Sequence, residues 1–117
     1  MADCSETLME HFSSPRNAGR IDGADLTGRV GAVGQGPFFL LYLRVDGGTI
    51  RAAKFQTHGC GLTIASGSML TELIVNRPVA ECRSLTVERL IEALDGVPPQ
   101  KRHAPALAIA ALHDALK

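Results

Sequence analysis

The spacing of hydrophobic positions changes several times along this chain, and each change marks an element. Phe38 to Val45, FFLLYLRV, is a near-continuous apolar run of strand length, and Thr49 to Thr57 returns as its partner. Between them Asp46-Gly47-Gly48 supplies the positive φ angles that a tight hairpin demands. Leu26 to Val33 reads as a third, irregular strand, interrupted by Gly34-Gln35-Gly36-Pro37. A strand this apolar predicts a covering layer of helices.

The helices show a different period. Asp3 to Phe12 sets Leu8, Met9 and Phe12 among polar residues and stops at Ser13-Ser14-Pro15, which predicts a short amphipathic helix. His11 and Arg16 are expected as exposed residues near its end, before a loop over 16–23. Leu62 to Val75 is apolar on most sides, and Ala65-Ser66-Gly67-Ser68 keeps it slim enough for close packing on a sheet. Gly67 weakens this helix by about 1 kcal/mol relative to alanine. Asn76-Arg77-Pro78 ends it, Pro78 to Cys82 forms a helical turn, and Val87 to Leu94 forms a helix capped by Thr86 and stopped by Asp95-Gly96. After a stiff linker over Val97 to Lys101, a last helix is expected from Ala104 or Pro105. Leu107, Ala108, Ala111, Leu112, Ala115 and Leu116 form its apolar face, with His113 off it and solvated. The expected architecture is α+β, a small antiparallel sheet of about three strands packed against helices, in one domain over 1–117.

Composition narrows the function classes. Twelve basic and twelve acidic residues balance, and aromatics make up 4% of the chain, so nucleic-acid binding is not expected. No apolar run reaches the roughly twenty residues of a membrane span. Met1-Ala2-Asp3-Cys4 lacks the start of a secretory signal, and a cytoplasmic protein is expected. Three irregularly spaced cysteines, Cys4, Cys60 and Cys82, argue for reduced thiols rather than a disulfide framework. Cys82, among charged residues, is read as incidental.

The candidate chemistry centres on Thr57-His58-Gly59-Cys60-Gly61, where a strand gives way to a helix. A helix starting near Gly61 points free N–H groups at the Cys60 sulfur and favours its thiolate. The alternative is a small buried apolar cysteine. His58 is its neighbour, and His103 falls just before the last helix, either as a ligand or proton-transfer group or as a histidine flanking a helix end. A thiolate with two imidazoles suits zinc, iron or copper(I), though a closed zinc site wants four ligands. Cys60 with His103 is also a nucleophile and base pair in the manner of a cysteine hydrolase, without an identifiable orienting residue.

The ordered set His11-Phe12-Ser13-Ser14-Pro15-Arg16-Asn17, Val30-Gly31-Ala32, the Asp46-Gly47 hairpin, Phe55 to Gly61 with Ile64-Ala65-Ser66, and Pro98-Pro99-Gln100-Lys101-Arg102-His103 resembles the IscU/NifU-type iron–sulfur cluster assembly scaffold family. The resemblance implies an α+β fold and a non-enzymatic scaffold that receives sulfur from a cysteine desulfurase, builds a 2Fe–2S cluster and passes it to an acceptor apoprotein. It places a cysteine, glycine and aspartate where this chain has Gln35, Gly36 and Pro37, and a cysteine where it has Ala104. Cys60 and His103 carry over, with His58 as an extra neighbour. The chaperone-recognition segment is partly kept in Val97 to Lys101. The expectation is a scaffold with a reduced cluster, iron or zinc site, which a homodimer completes by supplying two copies each of Cys60 and His103. The alternatives are a paralogue that binds partners but no cluster, and a sulfur carrier with Cys60 as persulfide acceptor.

Overall fold

The computed structural model describes residues 4–117. Helix α1 spans Glu6–Ser13, capped by the Ser5 side chain, which accepts from the Leu8 N–H at 2.9 Å. The expected start at Asp3 lies outside the described residues.

Strands β1 (Leu26–Val30), β2 (Phe38–Asp46) and β3 (Thr49–His58) form one antiparallel sheet in the order β1-β2-β3. Gly47 and Gly48, with φ of 59° and 79°, close the β2–β3 hairpin as the sequence predicts. The first strand stops three residues earlier than expected, because Gly31 turns to φ 78° and leaves the ladder.

Helix α2 (Gly61–Ile74) lies on β3, α5 (His103–Leu116) lies across β1 and β2, and α1 packs on α2. Phe39, Leu41, Leu43 and Phe55 point from the sheet into this helical layer and are buried, as the alternation along β2 requires. Short helices α3 (Val79–Cys82) and α4 (Val87–Ala93) follow, the latter capped by Thr86. The expected linker contains a 3-10 turn at Pro99–Lys101, and α5 begins at His103, one residue before the expected start.

Two side chains depart from expectation. His11 is 3% exposed, not a solvated helix-end residue, because it lies on the same face of α1 as Leu8 and meets α2. Cys82 is also 3% exposed and belongs to the core, where burial, with Glu81 adding to it, pushes its thiol pKa up. His113 is exposed, as expected, with its Nε2 2.9 Å from the Leu85 carbonyl.

Candidate functional site

Three segments meet at one end of the sheet. Phe38 pairs with His58, so the 31–37 loop enters β2 where β3 runs out toward Gly59 and Cys60. Cys60 is the N-cap residue of α2, with φ −73° and ψ 166°. The third segment is the 3-10 turn: Lys101 shares a pocket of about 210 Å³ with Cys60, and its other walls are Leu8, Met9, Phe12, Gly61 and Leu62.

The cap position sets the chemistry of Cys60. Its sulfur lies 3.7 Å from the hydroxyl of buried Thr63, whose N–H donates to the Cys60 carbonyl at 2.9 Å. Burial, the largest influence on the thiol, pushes its pKa up. The Thr63 hydroxyl, the N–H groups of Thr63 and Leu62 and the Lys101 charge outweigh it and leave the pKa lowered from its ordinary value. The half-buried thiol faces a largely apolar pocket with one ammonium group, an arrangement suited to a soft anion or a soft metal.

The other sequence-predicted residues are placed around this point. His58 is exposed at the end of β3 and stacks on Phe38, with ring centroids 6.1 Å apart. His103 is exposed at the first position of α5, two residues after Lys101. Among the described residues, no group of three or more His, Cys, Asp or Glu side chains converges as a metal ion requires. Gln35 and Pro37 lie on the exposed loop, whereas Ala104 is fully buried. Sequence reasoning missed Thr63 and Lys101 as neighbours of Cys60. Thr63 had a signal, since a residue three after an N-cap faces back to it; for Lys101 only the fold brings the turn to the pocket.

Comparisons with known proteins place the chain as a whole in a family and a fold. A family model described as the NifU-like N terminal domain matches residues 3–117. The chain is 39% identical over 112 residues to "Iron-sulfur cluster assembly scaffold protein IscU 1" of Archaeoglobus fulgidus, covering 96% of this chain and 73% of that one. It is 37% identical over 117 residues to "Iron-sulfur cluster assembly scaffold protein IscU" of Azotobacter vinelandii, covering 97% of this chain and 91% of that one. Among solved structures, the N-terminal part of a nitrogen-fixing NifU-like protein from Brucella abortus superposes with a TM-score of 0.72 at 17% identity, covering 96% of this chain and 90% of that one. Matched over almost its whole length, this chain belongs to the NifU-like N-terminal domain family of the IscU-type scaffolds.

Proposed function

We propose that this protein acts in iron–sulfur cluster assembly as a scaffold whose own chain offers Cys60 as thiolate donor and His103 as imidazole donor, with His58 two residues before Cys60 in sequence. The observation that carries the reading is the position of Cys60, capping α2 with a lowered pKa at the end of the sheet where the 31–37 loop also enters. The names of the relatives support the same role.

The donor set decides how a cluster is held. The cluster is cargo here, a 2Fe–2S unit whose two irons each need two protein ligands. Gln35 offers an amide, Pro37 no side-chain donor and Ala104 a methyl group, so one chain supplies half of what is required. Two chains meeting at this end supply two copies of Cys60 and of His103. In this reading the protein is a carrier rather than an enzyme. A cysteine desulfurase donates its sulfur, and a chaperone that reads Val97 to Lys101 and an acceptor apoprotein are its further partners.

Anaerobic reconstitution with ferrous iron and sulfide tests the proposal. The expected product absorbs in the visible, contains about one iron and one sulfide per chain, sediments as a dimer, and does not form with Cys60→Ser. A colourless, metal-free product rules the scaffold reading out.

The pocket beside Cys60 favours one second reading, a sulfur carrier. The Cys60 thiolate would attack the terminal sulfur of a donor persulfide, forming a new S–S bond. The donor's S–S bond breaks and its thiolate leaves, with no net oxidation. Incubation with a desulfurase and cysteine should then add the mass of one sulfur to Cys60, and an unmodified thiol excludes this reading.

A further inference from the structure

A second cleft, of about 460 Å³, lies between the C-terminal half of α2 and the edge of β3. It shares no lining residue with the pocket at Cys60. Arg44, Arg51 and Lys54 line it, together with Asn17 and Asn76, and among the described residues Glu72 is the one acid in its wall. The Glu72 carboxylate is engaged elsewhere, 3.4 Å from His11 Nε2 and 4.0 Å from Arg16 Nε. Among the described residues, none of the three cations has a carboxylate partner. Arg44 donates to the carbonyls of Asp22 at 2.9 Å and Gly23 at 3.2 Å. In a chain of zero net charge, this is a local concentration of positive charge.

The backbone at the floor of the cleft adds an independent sign. The Leu43 carbonyl accepts from the Asp25 N–H at 2.9 Å, so the polar groups of Leu43 face β1. Its cross-strand partner Ala53 must then turn its N–H and C=O away from β2, toward the cleft. Elsewhere along this edge the chain pairs with itself. Phe55 exchanges bonds with Asn17 and Gly19 at 3.0 and 2.8 Å, and Ile50 with Asn76 and Arg77 at 2.6 and 2.9 Å. Ala53, 3% exposed, has no such partner among the described residues. Buried backbone groups are almost always paired, and an unpaired N–H calls for an acceptor. Because the paired segments shut both ends of the edge, the opening suits a small molecule rather than an added strand.

We propose that this cleft binds a small organic polyanion carrying two or more carboxylate or phosphate groups, held by Arg44, Arg51 and Lys54 and by the Ala53 N–H. Forked guanidinium groups match both oxyanions, and the volume is that of a metabolite site. The site stands independently of the reading of Cys60.

The test is a titration of metal-free, ¹⁵N-labelled protein at low ionic strength, separately with citrate, pyrophosphate and acetate. Saturable amide shifts centred on Arg51 to Lys54 and Asn76 are expected with citrate or pyrophosphate and not with acetate. The tighter of the two identifies the carboxylate or the phosphate source. Arg51→Gln with Lys54→Gln should weaken binding by at least about tenfold, the loss of a charge-assisted hydrogen bond. The core amides of Leu41 and Leu112 serve as the folding control and should keep their positions. No saturable shift with either polyanion, a response to acetate equal to theirs, or unchanged affinity in the folded double variant overturns the proposal.

Discussion

In the seam between α1 and α2, Nδ1 of His11 lies 2.7 Å from the Ser68 hydroxyl, and both side chains are buried. Ser68 Oγ also accepts the Arg16 N–H at 2.8 Å, so one hydroxyl joins α1, the segment that follows it and α2. The second ring nitrogen lies 3.4 Å from the Glu72 carboxylate. These contacts tie to α2 the helix that supplies Leu8, Met9 and Phe12 to the Cys60 pocket.

Protonating this histidine should loosen the fold. Burial first, and then the Arg16 charge, hold its pKa below 6.5 against the opposing pull of Glu72 and Glu10. The unfolded chain therefore takes up the proton more readily. The stabilisation is complete above pH 6.5 and is lost as pH falls through the lower folded-state value. Urea midpoints should drop between about pH 8 and about pH 5, and His11→Gln should flatten that drop. An equal drop in the variant would assign the effect to another group. His11→Ala should lose about 2 kcal/mol at neutral pH, from the cavity and the broken hydrogen bond.

Thr63 should set the reactivity of Cys60. Thr63→Val removes the hydroxyl 3.7 Å from the sulfur with little change of shape, so the thiol pKa should rise. Alkylation of Cys60 by iodoacetamide, followed site by site by mass spectrometry, should slow near neutral pH and recover at alkaline pH. A rate profile identical to that of the native protein would show that the hydroxyl has no part in it.

Gly67→Ala should destabilise the protein although alanine is the better helix former. A Cβ at position 67 would meet ring carbon Cδ2 of Phe55 at 2.6 Å, and that ring is held against Phe39 with centroids 5.5 Å apart. The overlap costs about 1–3 kcal/mol, which exceeds the propensity gain of about 1 kcal/mol. Thermal unfolding should show a lower midpoint, and an increase would mean that the ring moves aside freely.

Returning donors to the loop should strengthen the cluster site. Gln35 and Pro37 are exposed, so Gln35→Cys with Pro37→Asp adds a thiolate and a carboxylate with little loss of stability. Reconstituted protein carrying both should lose iron to a chelator at least about tenfold more slowly than the native chain, in line with outer-shell and ligand effects on metal affinity. Equal loss rates would mean that the loop does not reach the iron.

Much of this molecule was legible from periodicity and turn chemistry, because those signals act over a few residues. The near-continuous apolar run of β2, the glycines of the hairpin, the Thr86 cap and the break at Asn76 each state a local preference, and the structure follows them. The motif order carried the family as well, since it runs through the whole chain. Burial of a polar side chain is a different matter, because it depends on what arrives from distant sequence. His11 is inside only because Ser68, 57 positions away, comes to meet it. Gly67 looks like a weakness along its helix and is instead the space that Phe55 occupies.

The elements, the sheet and the identity of Cys60 as the thiol at a strand-to-helix junction follow from spacing and local backbone preference along the chain. What surrounds that thiol depends on how distant segments pack together. Thr63 lowers its pKa because Cys60 caps α2, and Lys101 reaches it because the turn before α5 folds back to the same end of the sheet. The cleft at Ala53 has the same origin, since an edge backbone group is left unpaired only by the way the 17–19 and 76–77 segments close around it.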